Sequence, residues 1–155
     1  MSVKKIILIG DGGVGKTALV GEIRSGYFER KYLSTVGADA HKMDIGFSEV
    51  ELWDISGNDK YADWRKSYLK NADAAVIMFD VTHNRSYRNV KKWHDELQDV
   101  SPNIPTIIIG NKADATENRK VLACEYDLPY FEMSVKNDKE RKILEPLIWL
   151  TCQLD

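Results

Sequence analysis

Short apolar runs alternate along this chain with longer amphipathic stretches. Residues 5–9, 74–79 and 106–109 are apolar at nearly every position rather than at every second one. Continuous apolar character is typical of strands that are buried on both faces, as in a parallel sheet covered by helices. Residues 38–45 and 46–55 alternate only in part, and they predict an antiparallel hairpin at one edge of the sheet.

Helical spacing occurs between and after these strands. Residues 17–25 follow the first strand, and Pro146 fits only the first turn of a helix or a kink. Two further sets each share one helix face: Val90, Trp93, Leu97 and Val100, and later Leu144, Leu147, Ile148 and Thr151. This order predicts one α/β domain over residues 1–155, with a mostly parallel central sheet, an antiparallel edge hairpin and helices on both faces.

The composition narrows the class of protein. Lys and Arg total 22 against 24 Asp and Glu, and this near balance argues against a dedicated nucleic-acid binder. Two cysteines are too few for a disulfide framework, which favours the cytoplasm or nucleus. No apolar run approaches the roughly 20 residues of a membrane span. The last four residues match a prenylation box poorly, because Asp155 is not a usual final residue. We expect a monomer without a stable membrane anchor.

A glycine-rich loop follows the first strand. Residues 10–17, GDGGVGKT, fit the pattern G-x-x-x-x-G-K-[ST] between a strand and a helix. The glycines let backbone N–H groups form an anion-binding nest, and the helix N-terminus adds a partial positive charge. Lys16 would approach the β- and γ-phosphates, and the Thr17 hydroxyl would ligate Mg²⁺. The loop predicts a P-loop nucleotide site, and by itself it leaves ATPases and small-molecule kinases open.

A second polar segment favours guanine. Residues 111–114, NKAD, directly follow the strand at 106–110. The Asp114 carboxylate would accept hydrogen bonds from the N1–H and 2-amino groups of guanine, a pair of donors that adenine lacks. A site built around such bonds rejects an analogue without them by several powers of ten. Asn111 would brace the loop, and the stem of Lys112 would cover one face of the ring.

Two more segments complete the predicted base site. Ser134, Val135 and Lys136 follow a short strand at residues 130–133, where backbone N–H groups would meet the guanine O6. Phe28, after the first helix, would pack against the other face of the base. Nucleotide-binding features therefore recur at successive strand ends, where ligands of open α/β sheets bind.

These segments together resemble the Ras superfamily of small GTPases. Five boxes occur in the family's order over essentially the whole chain: residues 10–17, Thr35, and residues 54–57, 111–114 and 134–136. Within the superfamily the chain is most similar to the Ran branch, on the residues at 31–35, Gly37, His41, and those at 77–82, 89–90, 93–94, 103–105 and 146–150.

The resemblance implies roles for individual residues. Thr17 and Thr35 would ligate Mg²⁺ directly, and Asp54 would reach it through water. The N–H groups of Thr35 and Gly57 would contact the γ-phosphate only in the GTP state, so the loops around Thr35 and at 57–65 would be released on hydrolysis. Catalysis would involve Lys16, Gly57 and Asn58. Implied partners are effectors, exchange factors and GTPase-activating proteins, with transport-receptor-like proteins among them. The phosphates would be held by Gly12, Gly13, Val14, Gly15, Lys16, Thr17 and Ala18.

The chain departs from the family at Asn58, where most members carry glutamine. Asparagine is shorter by about 1.5 Å, and a misplacement of about 1 Å costs on the order of 100-fold in rate. We therefore expect slow GTP hydrolysis, with a hydrolysis-deficient binding module as the alternative. A phosphotransferase acting on a small metabolite is a third possibility, but it gives Asp114 no role. The segment at 123–127 is acidic where Ran-like proteins are basic, which argues against a full nuclear-transport role.

Overall fold

The fold is an α/β sheet with helices on both faces. The structure, a computed structural model, describes residues 3–25, 30–112, 127–136 and 142–154. The strands are β1 (Lys4–Gly10), β2 (Arg30–Thr35), β3 (Ala38–Ile45), β4 (Ser48–Ile55), β5 (Ala74–Asp80), β6 (Thr106–Asn111) and β7 (Tyr130–Glu132). The helices are α1 (Lys16–Ser25), α2 (Ala62–Leu69), α3 (Asn84–Arg88), α4 (Val90–Val100) and α5 (Glu145–Cys152), with 3₁₀ turns at Asp59–Tyr61 and Lys142–Leu144.

Within the described ranges the sheet has seven strands in the order β2-β3-β4-β1-β5-β6-β7. Strand β1 pairs in parallel with β4 and β5, and β6 and β7 continue the parallel part. The predicted fold class is confirmed. The predicted hairpin is also found, since β3 and β4 pair antiparallel from Ala38–Ile55 to Ile45–Ser48. It is not outermost, because β2 pairs antiparallel with the free side of β3.

Two apolar layers lie on opposite faces of the sheet. Alternate residues of β1 divide between them, with Ile6 and Leu8 in one cluster and Ile7 and Ile9 in the other. Every residue of β5 is buried. The continuous apolar runs in the sequence therefore have a direct cause, which is that helices cover both faces of the parallel strands.

The helices follow their predicted faces with one exception. In α4, Val90, Trp93 and Leu97 are buried, as predicted. In α5, Pro146 lies in the first turn, but the prediction that Ile148 faces the core is wrong, since it is 38% exposed. Leu147, Leu150 and Thr151 form the buried face, and a position one residue after Leu147 is rotated away from it. No helix in the described part of the chain is long and apolar enough to cross a membrane.

Candidate functional site

A cleft runs along the sheet edge at which β1, β5 and β6 end. One pocket, of about 760 Å³, is lined by the glycine-rich loop, Lys16, Thr17, Asp54 and Gly57. A second, of about 710 Å³, is lined by Asn111 and the segment at 134–136. Both volumes are typical of small-molecule sites. The two pockets meet in one elongated cleft, because they share Gly15, Ala18 and Lys112.

The glycine-rich loop follows a path that requires glycine at several points, two of which lie within the turn itself. Gly13 and Gly15 have φ angles of +81° and +109°, which side chains rarely permit. A Cβ at Gly15 would also lie 2.1 Å from Nδ2 of Asn111. The loop thus packs directly against the end of β6, and α1 begins at Lys16 with the residues of its first turn lining the first pocket.

Lys16 is a buried cation, only 6% exposed. Its Nζ donates hydrogen bonds to the carbonyl oxygens of Gly10 (2.8 Å) and Asp11 (2.7 Å). Burial lowers the pKa of Lys16 from 10.5 to about 8, although the charges of Asp54 and Asp11 act in the opposite direction. Because the folded protein binds this proton more weakly than the unfolded chain, the charge costs stability below pH 8, and that cost declines as the pH rises toward 10.5. An anionic ligand would remove the cost at neutral pH.

The side chains of Thr17 and Asp54 meet at the floor of the first pocket. The Thr17 hydroxyl donates to Oδ2 of Asp54 at 2.7 Å. Among the described residues no group of three or more His, Cys, Asp or Glu side chains could hold a metal ion. A metal here would therefore depend on a hydroxyl, one carboxylate and ligand oxygens, and Mg²⁺ is commonly bound in this way. Thr35, the third predicted ligand, ends β2 beside Ala38, and its side chain lies outside the described part.

Asn111 joins the two halves of the cleft. It is 3% exposed, its Nδ2 donates to the Val14 carbonyl (2.9 Å), and its Oδ1 accepts from the Val135 N–H (3.1 Å). One amide therefore bonds the glycine-rich loop to the segment at 134–136. Buried amides with both ends paired in this way fix a unique geometry.

Lys112 makes a second connection. It has φ of +64°, and its Nζ donates to the Gly13 carbonyl (3.1 Å) and lies 2.9 Å from Oδ2 of Asp80. Burial would raise the pKa of Asp80, but hydrogen bonds from Lys112 and Thr82 outweigh it and hold the pKa below its usual value. Asp80 was not among the site residues predicted from the sequence, although its place at the end of a buried strand was a usable signal.

Part of the predicted base site lies outside the described residues. Phe28 and Asp114 belong to this part, so the selection of guanine by Asp114 stays a prediction. Ser134, Val135 and Lys136 do line the second pocket.

Gly57 lies against the glycine-rich loop. A Cβ at this position would be 2.3 Å from the Gly10 carbonyl oxygen and 3.2 Å from the Gly12 nitrogen. The next residue, Asn58, uses its Oδ1 to accept the Lys60 N–H at 3.1 Å, which caps the 3₁₀ turn. The expectation of a loop from 57 to 65 is wrong for most of that range, since residues 59–61 and 62–69 are helical.

A family model described as Ras family matches residues 5–148. The matched range includes both pockets of the cleft and the strands that form its floor. Proteins of that family are in general small GTP-binding switches that bind GTP or GDP with Mg²⁺ and interact with regulators and effectors.

Proposed function

The chain belongs to the Ras family, and on that premise we propose that it is a guanine-nucleotide switch that binds GTP or GDP with Mg²⁺ and hydrolyses GTP slowly. The observation that carries the binding proposal is the joined cleft. Asn111 and Lys112 connect its two pockets through hydrogen bonds to the carbonyls of Val14 and Gly13. The phosphates and the base of a nucleotide are attached to one ribose, so they require two sites at a fixed distance from each other. These hydrogen bonds would hold the two pockets at such a fixed distance.

The phosphate half would bind in three ways. Backbone N–H groups of the loop from Gly12 to Gly15 and the first turn of α1 would surround the β-phosphate. Lys16, which is already desolvated, would gain the negative charge of the phosphates as a partner when the nucleotide binds. Thr17 and Thr35 would ligate Mg²⁺, with Asp54 acting through water, and the ion would offset charge on the β- and γ-phosphates.

The base half would select guanine through Asp114, with Lys112 and Phe28 on the ring faces and the N–H groups at 134–136 near O6. Competition between GDP and ADP for the nucleotide-free protein, with Mg²⁺ present, tests this selection. We expect GDP to win by several powers of ten. Equal uptake of both nucleotides would refute the proposal.

Slow hydrolysis is supported by the position of the Asn58 amide. In the glutamine-bearing pattern this side chain orients the attacking water. Here the shorter side chain is bonded to the Lys60 N–H, and asparagine is among the preferred capping residues. Turning the amide toward the phosphate would therefore require breaking the cap as well as spanning a longer gap.

The direct test is Asn58→Gln in a single-turnover GTPase assay. We expect the rate to rise by roughly 10- to 100-fold, with GDP affinity unchanged. Asn58→Ala is the matched control, because it removes the cap without supplying an amide, and its rate should not rise. A rate for Asn58→Gln equal to that of the wild type would show that the length of this side chain does not limit turnover.

The same capped Asn58 favours a second candidate, a GTP-loaded binding module whose hydrolysis has no biological role. The two candidates differ in their response to a cell extract, which should accelerate turnover of a true switch through an activating protein.

Resemblance to the Ran branch supports transport-receptor-like partners, and we propose a monomer of one domain, residues 1–155, in the cytoplasm or nucleus. Capture of partners under GTP-analogue loading, compared with GDP loading, tests this part.

A further inference from the structure

Arg65 is a charged residue in an unusual place. It lies in α2 and is only 2% exposed. Its Nε is 2.6 Å from Oε1 of Glu96 in α4, and its Nη2 is 3.4 Å from the other oxygen. Its guanidinium carbon lies 4.6 Å from the centroid of the Trp93 ring. A buried charge is tolerated when it is paired in this way, so the arginine is held in one orientation.

The remaining nitrogen of Arg65 is directed at the backbone beside the phosphate pocket. Nη1 donates to the carbonyl oxygen of Ser56 at 3.1 Å and approaches that of Asn58 at 3.4 Å. These two carbonyls stand on either side of Gly57. One nitrogen therefore restrains the peptide group that contains the Gly57 N–H and the peptide group that follows Asn58, on both sides of the glycine that lines the pocket.

The ring beneath Arg65 is itself attached to the glycine-rich loop. The Trp93 indole N–H donates to Oδ1 of Asp11 at 2.8 Å, and the Asn89 amide donates to Oδ2 of the same carboxylate at 2.7 Å. Both oxygens of Asp11 thus bond to α4 and its N-cap residue. A closed chain of contacts runs from Asp11 through Trp93 and Arg65 to Gly57, which packs back on the loop.

We propose that Arg65 is a positioning residue that holds Gly57 where its N–H can meet the γ-phosphate, and that Asp11 and Trp93 fix Arg65 relative to the phosphate loop. This inference rests on the proposed function, since it presumes a nucleoside triphosphate in the cleft. Arg65 does not line the phosphate pocket itself, and each of its three nitrogens contacts Glu96 or one of the two carbonyls. Its effect should therefore be confined to the state that has a third phosphate.

Two conservative variants test the positioning role. Arg65→Lys keeps the charge but loses the planar fork that bonds Glu96 and the carbonyls together. Trp93→Phe keeps a ring beneath the guanidinium and removes the N–H donor to Asp11. The control is Lys91→Gln on the same helix as Trp93, which breaks an exposed pair with Asp95. Dissociation constants for GDP and for a non-hydrolysable GTP analogue, together with single-turnover rates, are measured for each.

We expect both variants to bind GDP with an affinity within about twofold of the wild type. For Arg65→Lys, the affinity for the GTP analogue and the hydrolysis rate should each fall by roughly 10- to 100-fold, and for Trp93→Phe they should fall less. Lys91→Gln should match the wild type throughout. The proposal is overturned if Arg65→Lys keeps the wild-type ratio of the two affinities and the wild-type rate. It is also overturned if GDP affinity falls as far as analogue affinity, because the residue would then only maintain the fold. A wild-type protein that takes up no guanine nucleotide would instead refute the proposed function, and the inference with it.

Discussion

Truncating Asn111 to alanine tests whether one amide holds the cleft together. In the protein its Nδ2 bonds to the Val14 carbonyl and its Oδ1 to the Val135 N–H, both in buried surroundings. Removal leaves one acceptor and one donor unpaired. A buried polar group that loses its partner costs about 1–3 kcal/mol, so the variant should lose about 2–6 kcal/mol, divided between the free energy of unfolding and that of nucleotide binding.

The Asn111→Asp variant shows which end of the amide matters. It keeps an oxygen for the Val135 N–H, but it directs a second oxygen at the Val14 carbonyl and buries a charge. A buried, unpaired carboxylate is more costly than a missing side chain. We therefore expect the aspartate variant to be no better than alanine in either stability or GDP affinity, despite its nearly identical shape.

Thermal unfolding of the nucleotide-free and GDP-saturated protein, with titration of a fluorescent GDP, separates the two contributions. A loss of this size lowers the Tm by roughly 4–24 °C for a domain of this length if it falls on folding, or weakens GDP binding by at least about 30-fold if it falls on binding. Should Asn111→Ala melt and bind as the wild type does, the two pockets are not joined through this side chain. Wild-type affinity in Asn111→Asp would show that the bond to Val14 has no role.

Three further outcomes follow from the cleft. Affinity for Mg²⁺-GDP should be nearly constant below about pH 7 and fall roughly tenfold between pH 7 and 9 as Lys16 loses its proton. The same pH series on Lys16→Met, which retains any ionisation of the base, should lack this component. Gly57→Ala places a Cβ 2.3 Å from the Gly10 carbonyl oxygen, so binding of a GTP analogue should weaken by at least tenfold while GDP binding is retained, and an equal effect on both would contradict this. Thr17→Ala should make GDP dissociation insensitive to chelation of Mg²⁺, whereas a chelator should still accelerate release from Asp54→Glu.

The fold was predictable where burial on both faces imposed a continuous pattern. Strands β1, β5 and β6 satisfy this condition. The buried face of α4 was predictable for a different reason, which is its helical spacing of apolar residues. Strand β2 satisfied neither condition, because the residues at 30–35, RKYLST, are mostly polar and pair on one side only. An edge strand with that composition shows neither continuous nor alternating apolar positions.

Within the site, motifs indicated which residues would line the cleft but not how they are held. The glycines, Lys16 and Asn111 stand at strand ends that the pattern located. The bond between Trp93 and Asp11 joins positions 82 residues apart, and Arg65 reaches Glu96 across 31. Helical spacing identified Trp93 as a core residue, and its ring is buried. Spacing along one helix carries no information on where an indole N–H finds its acceptor.

The cleft has two parts that are held in place by different contacts, and this difference explains why nucleotide binding and GTP hydrolysis would be separable in the proposed function. The parts that would bind a diphosphate and a base are bonded to each other through Asn111 and Lys112, with no residue of the 57–69 segment involved. The part that would detect a third phosphate is attached through the guanidinium of Arg65 and through the close packing of Gly57. A change such as asparagine for glutamine at position 58 lies wholly within the second part. Under the proposed function, substitutions there would therefore alter hydrolysis and partner recognition while the nucleotide remained bound, which is the property that a slow switch and a stable GTP-bound module would share.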